Sequence, residues 1–266
     1  MGLPLWREAF VGLEWLSLRA SAVYRGIDVP RGDGSAVVVI PGFLGSDAYL
    51  RSLYTWLQRI GYRPYMSAIG RNAQCPNLLL DRLFDTIEGA YDDTGGKVHL
   101  IGHSLGGVLA RAAAVLQPGR TASVIAMASP FRGVRAHPLI VRTAALVRRR
   151  VLARGKKQST PPECYSGFCT CDALNALRRP FPAAVPQVAI YTKSDGVVDW
   201  RLCINDDPTT DIEVSGTHVG LVFNSRVYGH IAARLAASQN RRRRSQRRAK
   251  GEDLAPTLVP TPGKRR

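Results

Sequence analysis

Apolar positions along this chain of 266 residues follow two periods, and the two take turns. Ala36-Val37-Val38-Val39-Ile40 is a continuous, largely β-branched run, the pattern of a strand buried on both faces. Short apolar runs recur at 62–69, 97–103, 123–128, 187–192 and 210–214, each predicting a strand. Between them, apolar residues fall at three- and four-residue spacing, which predicts helices at 47–60, 76–91, 105–116 and 219–237. Strands that alternate with helices of ten residues or more predict an α/β chain with a doubly wound, mostly parallel sheet.

Three segments interrupt the alternation and set the expected domain boundaries. Residues 3–20 read as one helix with Trp6, Phe10, Leu13 and Leu16 along one side. That side is expected to pack against the core in preference to a membrane, which makes 1–24 an N-terminal helix on or beside the core. The core itself is expected at 25–130 and 187–238. Between its halves, 131–186 is too long for a plain connection. It holds a predicted helix at 139–153, a polar, Pro-containing turn at 158–163 and a short helix at 171–178, and reads as an inserted helical lid. From 239 to 266 the chain is rich in Arg and Pro with few apolar residues, and is expected to be a disordered tail.

Charge sharpens this division. The formal net charge is +17, but 132–157 contains nine basic residues and no acidic one, and 241–266 contains ten basic and two acidic. The rest of the chain carries eighteen residues of each sign. The excess therefore belongs to the lid and the tail, where it suits an anionic membrane surface, and nucleic acid is not the expected partner. No run of eighteen apolar residues is present, so no transmembrane helix is predicted. The apolar N-terminus is broken by Arg7, Glu8, Glu14 and Arg19 and reads as a helix instead of a secretory signal. Five cysteines then read as cytosolic thiols. Cys164, Cys169 and Cys171 match no common zinc spacing, and no metal is expected. The predicted location is cytoplasmic, with peripheral membrane attachment as an extension of it.

The chemistry begins at Gly102-His103-Ser104-Leu105-Gly106. This G-x-S-x-G follows a predicted strand and opens a predicted helix, the context that lifts a serine Oγ above the edge of a sheet. Such a serine needs a base and an orienting acid, in the chain order Ser, Asp or Glu, His. Among five histidines, His218 lies in the flexible loop after the strand ending at Val214, at the carboxyl edge of the sheet. Asp195 follows the strand 187–192 and precedes a Gly; it is preferred as the acid, with Asp199 the alternative. Backbone N–H groups that meet a developing oxyanion are expected from Leu105, next after the serine, and from the loop Pro41-Gly42-Phe43-Leu44-Gly45. Phe43 is the preferred donor there and Leu44 the alternate.

With these residues assembled, the chain resembles the α/β-hydrolase superfamily, particularly bacterial lipase- and esterase-like members. The resemblance rests on Val39 to Gly45, Gly102 to Gly107, Ala128 to Gly133, Tyr191 to Trp200 and Gly216 to Leu221, and spans roughly 3–237. It implies cleavage of a carboxylic ester, thioester or amide through an acyl-serine intermediate, with Ser104, Asp195 and His218 as a catalytic triad and no cofactor. An ester with an apolar acyl group, small or lipid-like, is the expected substrate, since Phe43, Leu44, Leu105 and Phe131 fall near the expected cleft. An acyltransferase or thioesterase with the same triad is the alternative enzyme. A non-catalytic protein of this fold, binding anionic lipid or nucleic acid through its basic tail, is the alternative of another class.

Overall fold

The computed structural model describes residues 3–133, 135–155 and 171–249. Its centre is a single six-stranded sheet with strand order β2-β1-β3-β4-β5-β6. The strands are β1 (Ala36–Ile40), β2 (Arg63–Met66), β3 (Val98–His103), β4 (Thr121–Met127), β5 (Gln187–Tyr191) and β6 (Asp211–Glu213). Every neighbouring pair is parallel. β1 and β3 are buried at every position, as unbroken apolar runs covered on both faces must be.

Helices cover both faces of the sheet. On one side, α3 (Arg51–Arg59) and α8 (Ser225–Ala249) set Leu53, Trp56, Leu57, Val227, Tyr228 and Ile231 against Val37, Val39, Ile101 and Ile125. On the other, α4 (Pro76–Thr94), α5 (Leu105–Leu116) and α7 (Asp172–Arg178) close over Val38, Ile40, Val98 and Leu100. Alternate side chains of each strand thus feed opposite cores. The chain reverses its winding direction between β1 and β3, which leaves a crevice at the carboxyl ends of the central strands.

The three interruptions differ from their expected form in instructive ways. Residues 3–20 make a 3-10 segment, Leu5–Phe10, and then α1, Val11–Ala20, followed by the short α2, Ala22–Arg25. Leu18 is fully buried, but the expected packing face is not: Trp6, Phe10, Leu13 and Leu16 are 67%, 49%, 63% and 57% exposed. The segment is held instead by Glu8 and Glu14, which the site geometry explains. The insertion divides in two. α6 (Pro138–Gly155) leaves Leu139, Val141 and Leu146 exposed, whereas α7 belongs to the core, with Ala173 and Ala176 buried against α5. The predicted turn at 158–163, with Cys164 and Cys169, lies outside the described residues.

The tail expected to be disordered from 239 instead continues α8 to Ala249. No Gly or Pro occurs between Ala236 and Ala249, and Arg, Gln and Ala are favourable helix formers, so an established helix propagates through them. Residues 250–266 lie outside the described residues. Among the described residues, no helix is long and apolar enough to cross a membrane.

Candidate active site

The turn between β3 and α5 is where sequence and sterics agree most closely. Ser104 adopts φ 53° and ψ −123°, a conformation costly for any residue with a Cβ and stored where surrounding structure enforces it. The enforcement comes from close approach. A Cβ on Gly102 would lie 2.3 Å from the Gly107 nitrogen, and one on Gly106 would lie 2.2 Å from the Ile40 carbonyl oxygen. Only glycine lets α5 start so close to β1 and β3. Leu105 is the first residue of α5, so its N–H has no acceptor within the helix, and the helix N-terminus adds partial positive charge there.

His218 and Asp195 meet beside this turn. The Nδ1–H of His218 donates to Asp195 Oδ2 at 2.7 Å, and both residues are 3% exposed. The other carboxylate oxygen, Oδ1, accepts the backbone N–H groups of Val197 and Val198, each at 2.8 Å. Asp195 is thereby fixed by its own loop while its second oxygen faces the imidazole. Asp199, the alternative acid, does not reach His218. It caps a 3-10 turn by accepting Arg201 N–H at 3.1 Å and pairs with Arg135 at 3.6 Å.

The loop after β1 is similarly specific. Leu44 N–H is already spent on the Asn72 carbonyl at 2.9 Å, so of the two candidate donors it is the one removed from use. Fully buried Asn72 also donates its side-chain N–H to Pro41 O at 2.8 Å and its backbone N–H to Gly45 O at 2.9 Å. Three hydrogen bonds from one residue therefore hold the Pro41–Gly45 loop open at Phe43.

His218 is gripped by its backbone as well as its ring. Glu8 accepts His218 N–H through Oε1 and Val219 N–H through Oε2, both at 2.9 Å. Glu14 accepts Thr217 N–H at 2.9 Å and the Thr217 hydroxyl at 2.7 Å. From the opposite side, His103 Nε2–H donates to the His218 carbonyl at 2.9 Å. Burial, and then any positive charge on His218, lowers the His103 pKa from 6.5 to about 3, so this ring is a neutral, permanent donor. Tyr49 closes the set, its hydroxyl donating to Val219 O at 3.2 Å. Sequence reasoning did not find Glu8, Glu14, Asn72 or this role for His103. The two glutamates lie some two hundred residues from the backbone they hold, and no periodicity reports such a partner.

Ser104, His218, Phe43 and Leu105 all line one cavity of about 690 Å³. Its remaining walls are mostly apolar and include Val108, Phe131, Leu174, Leu177 and Val198, with Ile140 and Ala144 contributed by α6. His103 lines the same cavity, and the remaining three histidines lie elsewhere: His99 bonds to Ser123 Oγ within the sheet, and His137 and His230 lie outside the lining. Among the described residues, no group of three or more His, Cys, Asp or Glu side chains is arranged to hold a metal ion.

Residues 52–177 match the model of a family described as "Putative esterase". A triacylglycerol lipase of Burkholderia plantarii is 28% identical over 131 residues, an alignment covering 46% of this chain and 37% of the lipase. The chain thus spans little more than a third of that relative's length. Solved structures extend the likeness over most of the fold. A carboxylesterase of Nitrososphaera gargenis superposes with a TM-score of 0.55 at 15% identity, covering 79% of this chain and 93% of its own. A monoacylglycerol lipase of Paleococcus ferrophilus gives 0.53 at 16% identity, covering 79% and 97%. The parallel sheet, the serine on its glycine-flanked turn and these superpositions together show that this chain has the α/β-hydrolase fold.

Proposed function

We propose that the protein hydrolyses carboxylic esters with an apolar acyl group, using Ser104 as nucleophile, His218 as general base and acid, and Asp195 as its orienting carboxylate. The observation that carries this reading is the buried contact of 2.7 Å between His218 Nδ1 and Asp195 Oδ2 at the wall of the cavity that Ser104 enters. With Nδ1–H committed to Asp195, the imidazole presents Nε2 as the free basic nitrogen, and the negative carboxylate stabilises the imidazolium that forms.

Ser104 Oγ attacks the ester carbonyl carbon as its proton passes to His218 Nε2. The carbonyl oxygen becomes an oxyanion, received by the N–H groups of Phe43 and Leu105. The carbon–oxygen bond to the alcohol breaks, and His218 returns the proton to the leaving oxygen. A water then gives a proton to His218 and attacks the acyl carbon, and Ser104 Oγ leaves with the proton restored. The apolar walls favour an aliphatic acyl group, since each buried methylene contributes about 0.8 kcal/mol. Likeness to a family of esterases and to a triacylglycerol lipase supports the reaction class.

The test is hydrolysis of p-nitrophenyl esters of increasing acyl length by the wild type and by Ser104→Ala. Turnover that rises with chain length and is lost in the variant is expected. Equal turnover by both proteins would overturn the serine mechanism.

A further inference from the structure

The N-terminal segment faces the wrong way round for a helix packed on a folded body. A surface helix ordinarily turns its apolar stripe inward and its carboxylates out. Here Trp6, Phe10, Leu13 and Leu16 are all about half exposed or more, and Trp15 is 39% exposed. Glu8 and Glu14 face the protein, with both oxygens of each engaged by the 217–219 backbone or the Thr217 hydroxyl. The physical cause is the loop carrying His218, whose N–H groups at the start of a 3-10 turn demand acceptors. Meeting that demand rotates the apolar residues to the outside.

Two consequences follow for the outward surface. First, the two acidic residues of the segment are removed from it, so its remaining charges are cationic. Arg7 lies 5.6 Å from the Trp6 ring centroid and Arg19 5.3 Å from that of Trp15. Second, the surface adjoins the cleft. Pro4 and Leu5 pass against Gly196, next to Asp195, so closely that a Cβ there would lie 2.6 Å from the Pro4 oxygen. Exposed aromatic and aliphatic residues framed by arginine fit the boundary between headgroups and acyl chains of an anionic bilayer. A second copy of the chain fits poorly, because each copy carries a net charge of +17 and would repel the other.

We propose that residues 3–20 are an interfacial docking surface, which seats the protein on anionic lipid through Trp6, Phe10, Leu13 and Leu16. This goes beyond the ester-hydrolase reading and does not depend on it. Docking would hold the protein with the His218 loop beside the lipid, so that a lipid-like ester need travel only a short way into the cavity.

The experiment is co-flotation with vesicles of phosphatidylcholine containing phosphatidylserine, and with vesicles of phosphatidylcholine alone. It compares the wild type with a variant in which Trp6, Phe10, Leu13 and Leu16 are all replaced by Ser. The basic segments 132–157 and 241–266 are unchanged in both proteins, so the difference between them reports the N-terminal surface. The expected result is that the wild type partitions onto the phosphatidylserine vesicles, with roughly a tenfold or greater loss in the variant. Quenching of tryptophan fluorescence by brominated acyl chains is expected in the wild type, and weaker quenching in Trp6→Phe, which leaves only Trp15 exposed on this surface. The replaced side chains are exposed, so an unchanged circular-dichroism melting curve checks the variant's fold without recourse to turnover. Equal flotation of wild type and variant would overturn the proposal. So would a wild-type dimer that the substitutions dissolve, without vesicle binding by either protein.

Discussion

At the scale of single residues, the two carboxylates after β5 are separated by what their neighbours offer. Asp195 receives two backbone N–H groups on one oxygen and an imidazole N–H on the other, all within a buried loop. Asp199, four residues on, faces Arg135 and Arg201 near the surface. Asp195→Asn keeps the volume but removes the charge that stabilises an imidazolium, and offers an amide nitrogen that favours the wrong tautomer. A fall in kcat of about 10³–10⁴-fold is expected, with KM on a soluble ester little changed. Asp199→Asn should stay within about twofold of the wild type. Steady-state kinetics of the pair checks both, and a larger loss in the Asp199 variant would reassign the acid.

At the scale of elements, the N-terminal segment turns its carboxylates inward and its large apolar residues outward. Its inward face supplies carboxylates to the loop that carries His218, and hydrogen bonds to a charged acceptor contribute about 1.5–3 kcal/mol each. Glu8→Gln retains one acceptor oxygen for two N–H donors, those of His218 and Val219. This substitution is expected to lower stability by about 1–2 kcal/mol, read as a drop of a few degrees in Tm. A kcat reduced several-fold at nearly constant KM is expected with it, because the backbone of His218 loses its fixed position while the acyl cavity is intact. A variant with lower Tm and unchanged kcat would confine Glu8 to a structural role. The inserted elements divide by the same logic: α7 buries Ala173 and Ala176 in the core, and α6 lends Ile140 and Ala144 to the cavity wall.

At the scale of the whole molecule, stability and charge are set in different places. The sheet and its two cores lie in the part of the chain where acidic and basic residues balance, and the surplus arginines lie beyond it. One buried histidine nevertheless couples global stability to pH. The folded-state pKa of His103 lies near 3, below its unfolded value of 6.5. Between those values the unfolded chain binds a proton that the folded chain refuses. The stabilisation is therefore complete above about pH 6.5 and lost as pH falls, by roughly 1.4 kcal/mol per unit. Denaturant unfolding at pH 7 and pH 5 is expected to show about 2 kcal/mol more loss in the wild type than in His103→Gln, which keeps a donor without a titrating ring. Equal losses would place His103 outside the linkage.

The sequence by itself determined the alternation of strand and helix, the parallel sheet, the glycine-flanked turn at Ser104 and the loops bearing His218 and Asp195. These follow from local rules: side-chain period, β-branching, and the steric need for glycine at Gly102 and Gly106. Tertiary structure alone decided which of Asp195 and Asp199 meets the imidazole, and that Leu44 N–H is occupied by Asn72. It also decided that the N-terminal apolar stripe faces outward. Periodicity identified the stripe correctly and misjudged its direction, because it assumes that apolar burial chooses which face turns inward. In this segment the choice fell to Glu8 and Glu14, whose backbone partners lie about two hundred residues away. Unpaired N–H groups at the start of a buried turn cost more than a few exposed apolar side chains, and only the folded molecule brings the two into competition.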